Sequence, residues 1–144
     1  TQPGAYGGVL CEGGAVKPAI YIASFFDTRS RLYPRRDRLC ALGYPVTARW
    51  LNEPVEASDA ASTEEYLRNC AVRDLADIGH SFWFILDTID ETPRGGREVE
   101  LGVALILRRS SSMRIIVIGP CRNVFHRLAD AHYDTWEAFF VAIQ

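Results

Sequence analysis

The sequence predicts an α/β fold, a three-layer sandwich of helices on a mostly parallel five-stranded sheet. Three observations carry this. Short apolar runs at 19–24, 81–87 and 113–119 are rich in β-branched and aromatic residues and bounded by turn residues, so they read as strands. Stretches with helical apolar spacing separate them, and strands alternating with helices imply right-handed βαβ crossovers and a parallel sheet. The runs also lack polar alternation, which implies burial on both faces.

Each element can be justified in order. Ala19-Ile20-Tyr21-Ile22-Ala23-Ser24 is the first strand. In the charged stretch 29–42, Leu32, Leu39 and Leu42 form a helical stripe, Pro34 suits a first turn and Gly43 a helix stop. Residues 45–51 are expected to be the second strand, and 52–62 a polar loop. Ser62 with Glu65 three residues on reads as a capping box for a helix to Ile78, with Tyr66, Leu67, Cys70, Leu75 and Ile78 turned inward. Residues 81–87 form the third strand, 97–109 a helix, 113–119 the fourth strand, and a short fifth strand or turn lies between His126 and Tyr133. Asp134-Thr135-Trp136-Glu137 is a second capping box, opening a terminal helix to Ile143. The pattern is flavodoxin-like or Rossmann-like, and ligands in such sheets bind beyond the carboxyl ends of the strands. Here those ends are 24–29, 51–53, 87–97 and 119–123.

Bulk properties narrow the function classes. The chain has 144 residues, 48% hydrophobic and 24% charged, which suits one domain: a loose arm over 1–16 and a single domain over 17–144. A net charge of −2 gives no footprint for nucleic acid or an anionic membrane. Lys17 is the only lysine. Cys11, Cys40, Cys70 and Cys121 are far apart, without CxxC or paired histidines, so a zinc site is not expected and free thiols in a cytoplasmic protein are. His80, His126 and His132 likewise lack ligand spacing.

Candidate chemistry concentrates in the helix that begins Arg97-Glu98-Val99-Glu100-Leu101-Gly102. Acidic residues are favourable near a helix N-terminus, which explains Glu98. Glu100 lies on nearly the opposite face, among Val99, Leu101 and Val103, where an unpaired carboxylate is costly. Such a group at a rim is a candidate catalytic residue. Asp87, Asp90 and Glu91 follow the third strand, and Asp74 and Asp77 lie in the helix before it. Solvated charges are the bland reading of all five, but two carboxylates at one sugar permit attack by one and proton transfer by the other. Gly95-Gly96 opens a helix, where backbone N–H groups such as that of Gly96 bind anions, although neither a P-loop nor GxGxxG is present. Ser24 lies at the first rim, and Phe25-Phe26 are candidates to stack on a base or to join the core. Cys121 has no evident base beside it.

Taken together, four segments resemble the nucleoside 2-deoxyribosyltransferase family, including related nucleotide N-glycosidases. They are Ile20-Tyr21-Ile22-Ala23-Ser24-Phe25-Phe26, Asp74-Leu75, Gly95-Gly96-Arg97-Glu98-Val99-Glu100-Leu101-Gly102-Val103-Ala104-Leu105, and Gly119-Pro120-Cys121-Arg122-Asn123-Val124-Phe125-His126. The likeness covers nearly everything from Lys17 onward, and its most specific piece is Glu-Leu-Gly-x-Ala at 100–104. The resemblance implies that Glu100 is the nucleophile at the anomeric carbon, that Asp74 assists protonation of the base, and that Tyr21 stands near the nucleophile. It implies that Asn123 reaches a neighbouring subunit's site in a homo-oligomer. The base-contacting loop acid of transferases has Asp87, Asp90 or Glu91 as candidates, with Arg94 nearer the expected position. The phosphate loop of the nucleotide hydrolases is replaced by Phe25-Phe26-Asp27-Thr28-Arg29, which leaves Arg29 and Arg97 as phosphate candidates. The implied substrates are a nucleoside or nucleotide and a free nucleobase, with no cofactor and no metal. Deoxyribosyl transfer, hydrolysis of nucleosides or their 5′-monophosphates, and nucleotide binding without turnover are the three functions to separate.

Overall fold

The computed structural model describes residues 16–52 and 63–144. Four parallel strands form one sheet in the order β1 (Ile20–Ala23), β2 (Trp83–Asp87), β3 (Arg114–Ile118), β4 (Ala131–Tyr133). Helices α1 (Tyr33–Ala41) and α4 (Trp136–Ile143) cover one face, where Trp83 packs on Tyr44 and Phe139, and Arg38 bridges to Glu137 and Phe140. Helices α2 (Glu64–Gly79) and α3 (Gly96–Arg108) pack together on the other. β1, β2 and β3 are largely buried on both faces, as their apolar sequence requires, while the edge strand β4 is partly exposed.

The predicted second strand is the main departure. It shrinks to a single parallel bridge, Ile20 to Val46, and the chain then curls into a 3-10 turn at Arg49–Asn52. Two side chains replace the missing ladder. The Trp50 indole N–H donates to the Ile22 carbonyl at 2.8 Å, and the Arg49 N–H donates to Asp77 Oδ2 at 3.1 Å. The two capping boxes also shift by one residue. Thr63 caps α2 through Tyr66 N, and Thr135 caps α4 through Ala138 N. Ser62, the residue expected to cap α2, lies outside the described residues, as do the 1–15 part of the arm and most of the polar loop. On α2 Ile78 is buried as expected, but the expected inward residues Leu67 and Leu75 are exposed, and Asp77 is buried in addition. Gly119 ends β3 at φ +111°, and a Cβ there would lie 2.7 Å from Thr88 Oγ1, so only glycine lets the β2 and β3 ends pass this closely.

The bridge at Val46 and the pairing of β2 lie on opposite sides of β1. Chain direction across the sheet therefore reverses beside β1, the topological switch where open α/β sheets form their ligand crevice.

Candidate functional site

Three side chains from three elements meet on the α2/α3 face at this switch. Side chains alternate along a strand. Tyr21 is paired with Phe84 in register and stacks on it at 5.7 Å, so both face α2 and α3. Glu100 comes from α3 and Asp74 from α2. The Tyr21 ring is fully buried and its hydroxyl makes no hydrogen bond of standard geometry, yet it is close enough to Glu100 for each to act on the other's proton. Catalytic hydrogen bonds are often long before substrate arrives.

The electrostatics follow from that packing. Burial first, then the negative charge of Asp74, raises Glu100 from 4.5 to about 8, and the Tyr21 hydroxyl offsets part of this. Burial, then Glu100, Asp74 and Asp77, push the Tyr21 hydroxyl far above its usual value, so it stays protonated. Asp77 is held apart from this chemistry by Arg49, whose Nη2 lies 2.7 Å from Oδ1. Two carboxylates and a phenol thus share a half-buried rim, and the pair retains a proton at neutral pH.

A second acidic cluster lies on the other face of the sheet. Asp87 has the parity of Trp83 and Ile85, so its side chain points toward α1 and α4. It is fully buried and accepts from both Arg31 Nη atoms (3.0 and 2.9 Å), the Trp136 indole (2.6 Å) and Ile89 N (3.1 Å). Arg31 Nε and Thr28 Oγ1 both reach Asp90 Oδ2, at 3.0 and 2.8 Å. The pleat therefore turns Asp87 away from Glu100, so the structure does not bring it together with Glu100, Asp74 and Tyr21. Arg97 is likewise engaged within the chain. It is buried, and its Nη1 donates to the carbonyls of Asp87 (3.2 Å) and Asp90 (2.7 Å). Arg29 is buried too, stacked 4.0 Å from the Phe26 ring and donating to the Phe26 carbonyl at 3.1 Å. Arg31 and Trp136 went unnoticed in the sequence. An arginine eight residues beyond a strand and a tryptophan after a helix cap carry no signal until pairing brings them to Asp87.

The remaining residues divide. Ser24 ends β1 with a buried hydroxyl lacking a hydrogen-bond partner, available to a ligand. Phe25 is partly buried and Phe26 exposed, its ring 6.1 Å from that of Trp50. Gly96 is exposed in the first turn of α3. Asn123 lies on the far side of α3 from Glu100: its Oδ1 accepts from Phe125 N and His126 N, and its Nδ2 donates to Glu98. Within one chain this makes it a cap and not a substrate ligand. An open pocket of about 450 Å³ lies on this side, lined by Thr92, Arg94, Glu98, Cys121 and Arg122 among others, and Glu100 does not line it. No group of three or more His, Cys, Asp or Glu among the described residues is arranged to hold a metal ion, and no helix there is long and apolar enough to cross a membrane.

Comparison with known proteins places the fold. The chain superposes on a solved structure of a 2-deoxyribosyltransferase from the psychrotolerant bacterium Bacillus psychrosaccharolyticus with a TM-score of 0.66, covering 83% of this chain and 88% of that one at 21% identity. At that identity the likeness establishes a shared α/β fold. No protein-family model and no curated protein sequence matches the chain.

Proposed function

We propose that this chain is a nucleoside 2-deoxyribosyltransferase, cleaving the N-glycosidic bond of a 2′-deoxynucleoside and passing the sugar to another base. The observation that carries this reading is the meeting of Glu100, Asp74 and Tyr21 at the switch beside β1. The shared fold and the Glu-Leu-Gly-x-Ala element support it.

The reaction needs one carboxylate and one carboxylic acid, so the proton that the pair holds passes from Glu100 to Asp74 when substrate binds. Glu100 attacks C1′ and forms a glycosyl ester as the N-glycosidic bond breaks. The bonding pair leaves on the base nitrogen, which takes a proton from Asp74. A second base then attacks C1′, its proton returns to Asp74, and Glu100 is freed. Cleavage develops oxocarbenium character, which the Glu100 charge stabilises. Tyr21, fixed by burial and stacked on Phe84, orients the Glu100 oxygen. Ser24 and Phe26 are the ligands we assign to sugar and base.

Hydrolysis of a 5′-monophosphate is the reading to separate. The two phosphate candidates speak against it, because Arg97 is already held by carbonyls and Arg29 by a carbonyl and a ring. We also propose a cytoplasmic homo-oligomer. Val99, Ile106, Val124 and Phe125 are exposed apolar residues that support self-association, checked by sedimentation. Chromatography of a 2′-deoxynucleoside panel, with and without 5′-phosphate and with a second free base, tests the activity. A new deoxynucleoside supports transfer, free sugar with free base makes the protein an N-glycosidase, and no turnover by the folded protein favours binding alone.

A further inference from the structure

We propose that His126 is a positioning residue for Glu100, acting through Glu98 on the opposite side of α3. Its kinetic readout rests on the reading above, and its spectroscopic readout does not.

The N-cap of α3, Gly95, supplies no side-chain cap, and the helix starts on a second glycine. Backbone there has the most freedom to lose. Two side chains anchor this turn. Arg97 fastens it to the loop after β2. Glu98 accepts from His126 Nε2 at 2.9 and 3.1 Å and from Asn123 Nδ2 at 3.1 Å. His126 cannot yield, because its side chain is fully buried and its Nδ1 accepts the Arg122 N–H at 3.0 Å. That bond leaves the ring proton on Nε2, directed at Glu98.

Residues two apart on a helix point about 200° away from each other. A hold on Glu98 from the 122–126 turn therefore fixes the rotation that presses Glu100 onto β1 and α2. The groups facing Glu100 are Tyr21 from β1 and Asp74 from α2. Those facing Glu98 are His126 and Asn123 from the 122–126 turn and Arg97 from its own helix. Releasing Glu98 lets α3 turn or fray, admits water to Glu100 and separates it from Asp74.

The experiment is a carbon-13 carboxyl NMR titration of Glu100, assigned with Glu100→Gln, alongside kcat and KM. It is run on wild type, His126→Leu, His126→Gln, Glu98→Gln and Glu98→Ala. In His126→Leu the Glu100 midpoint falls from about 8 toward the ordinary carboxylate range. There kcat drops on the order of 10- to 100-fold, and KM stays within about threefold. His126→Gln, which keeps a donor, recovers most of both. His126→Leu leaves the Glu98 charge in place, so a through-space charge effect would raise the midpoint instead. A folded His126→Leu protein with the wild-type midpoint or a higher one overturns the proposal. Should that variant not fold, the half-exposed Glu98 decides: Glu98→Gln keeps an acceptor for His126 and removes only the charge, Glu98→Ala removes the acceptor as well, and an equal midpoint and kcat in these two overturn it. If wild type turns over no nucleoside, the functional reading fails while the titration still judges the positioning.

Discussion

Glu98 and Glu100 stand two residues apart at the start of one helix, and the protein pushes their proton affinities in opposite directions. Burial alone would raise Glu98, but hydrogen bonds from His126 and Asn123 and the charge of Arg97 outweigh it, so Glu98 is lowered. Glu100 has burial and the Asp74 charge against it and only the Tyr21 hydroxyl in its favour, so it is raised to about 8. The helix dipole favours Glu98 in the first turn and can only lower, never raise, a carboxylate there, so it cannot be the cause of the rise at Glu100. What differs is the partner set: donors on one face, a second carboxylate on the other. These neighbouring acids with diverging affinities divide labour, Glu98 holding the helix and Glu100 facing Asp74 at the site.

The largest effect that would break this division is on turnover. Glu100→Gln should lower the rate of base release at least ~10³-fold with the fold intact, measured by chromatography and circular dichroism. A variant within tenfold of wild type would place the chemistry elsewhere.

Asp74→Asn sharpens the same contrast from outside the helix. Its rate should fall about 10²–10⁴-fold. It also removes the charge second only to burial in raising Glu100, so the Glu100 midpoint should move down. In wild type, kcat/KM should decline as pH rises through about 8, where the pair gives up its remaining proton.

Asp87→Asn tests the carboxylate cluster on the other sheet face. It leaves Arg31 without its buried partner and should cost about 3 kcal/mol of stability in urea denaturation, with the specific activity of folded protein little changed. A specific loss of rate with no loss of stability would move Asp87 into the site.

The smallest effect concerns Glu100 and stability. Its folded affinity for protons exceeds its unfolded one, so the folded state holds more protons between pH 4.5 and about 8 and stability falls as pH rises through that window. Glu100→Gln removes the penalty. It should be about 1–3 kcal/mol more stable than wild type at pH 8.5 and little different at pH 4, as followed by thermal melts.

Much of this was legible in the sequence, and the failures share a cause. The strands at Tyr21, Phe84 and Ile116 and the opposed faces of Glu98 and Glu100 follow from periodicity, which is local. The second strand was misread because 45–51 carries strand-forming residues, while Trp50 and Arg49 spend their donors on Ile22 and Asp77 and let the chain curl away. Both cap readings chose the residue before the true threonine cap, an error of one position where polar residues adjoin. Proximity to the rim does not tell which face Asp87 takes, whereas its place two residues beyond Ile85 fixes that face once register is known. Convergence of Asp74 on Glu100 needs α2 and α3 packed side by side, which no spacing rule supplies.

The most direct test of Glu100 as nucleophile is to trap its ester. The protein is mixed with a 2′-deoxynucleoside bearing a slowly departing fluorinated sugar, quenched in acid, and analysed by intact mass and peptide mapping. The account predicts one added glycosyl group, on the peptide carrying Glu100 and absent from Glu100→Gln. A glycosyl group on another residue, or turnover of the natural substrate with no ester at any time after mixing, would contradict it.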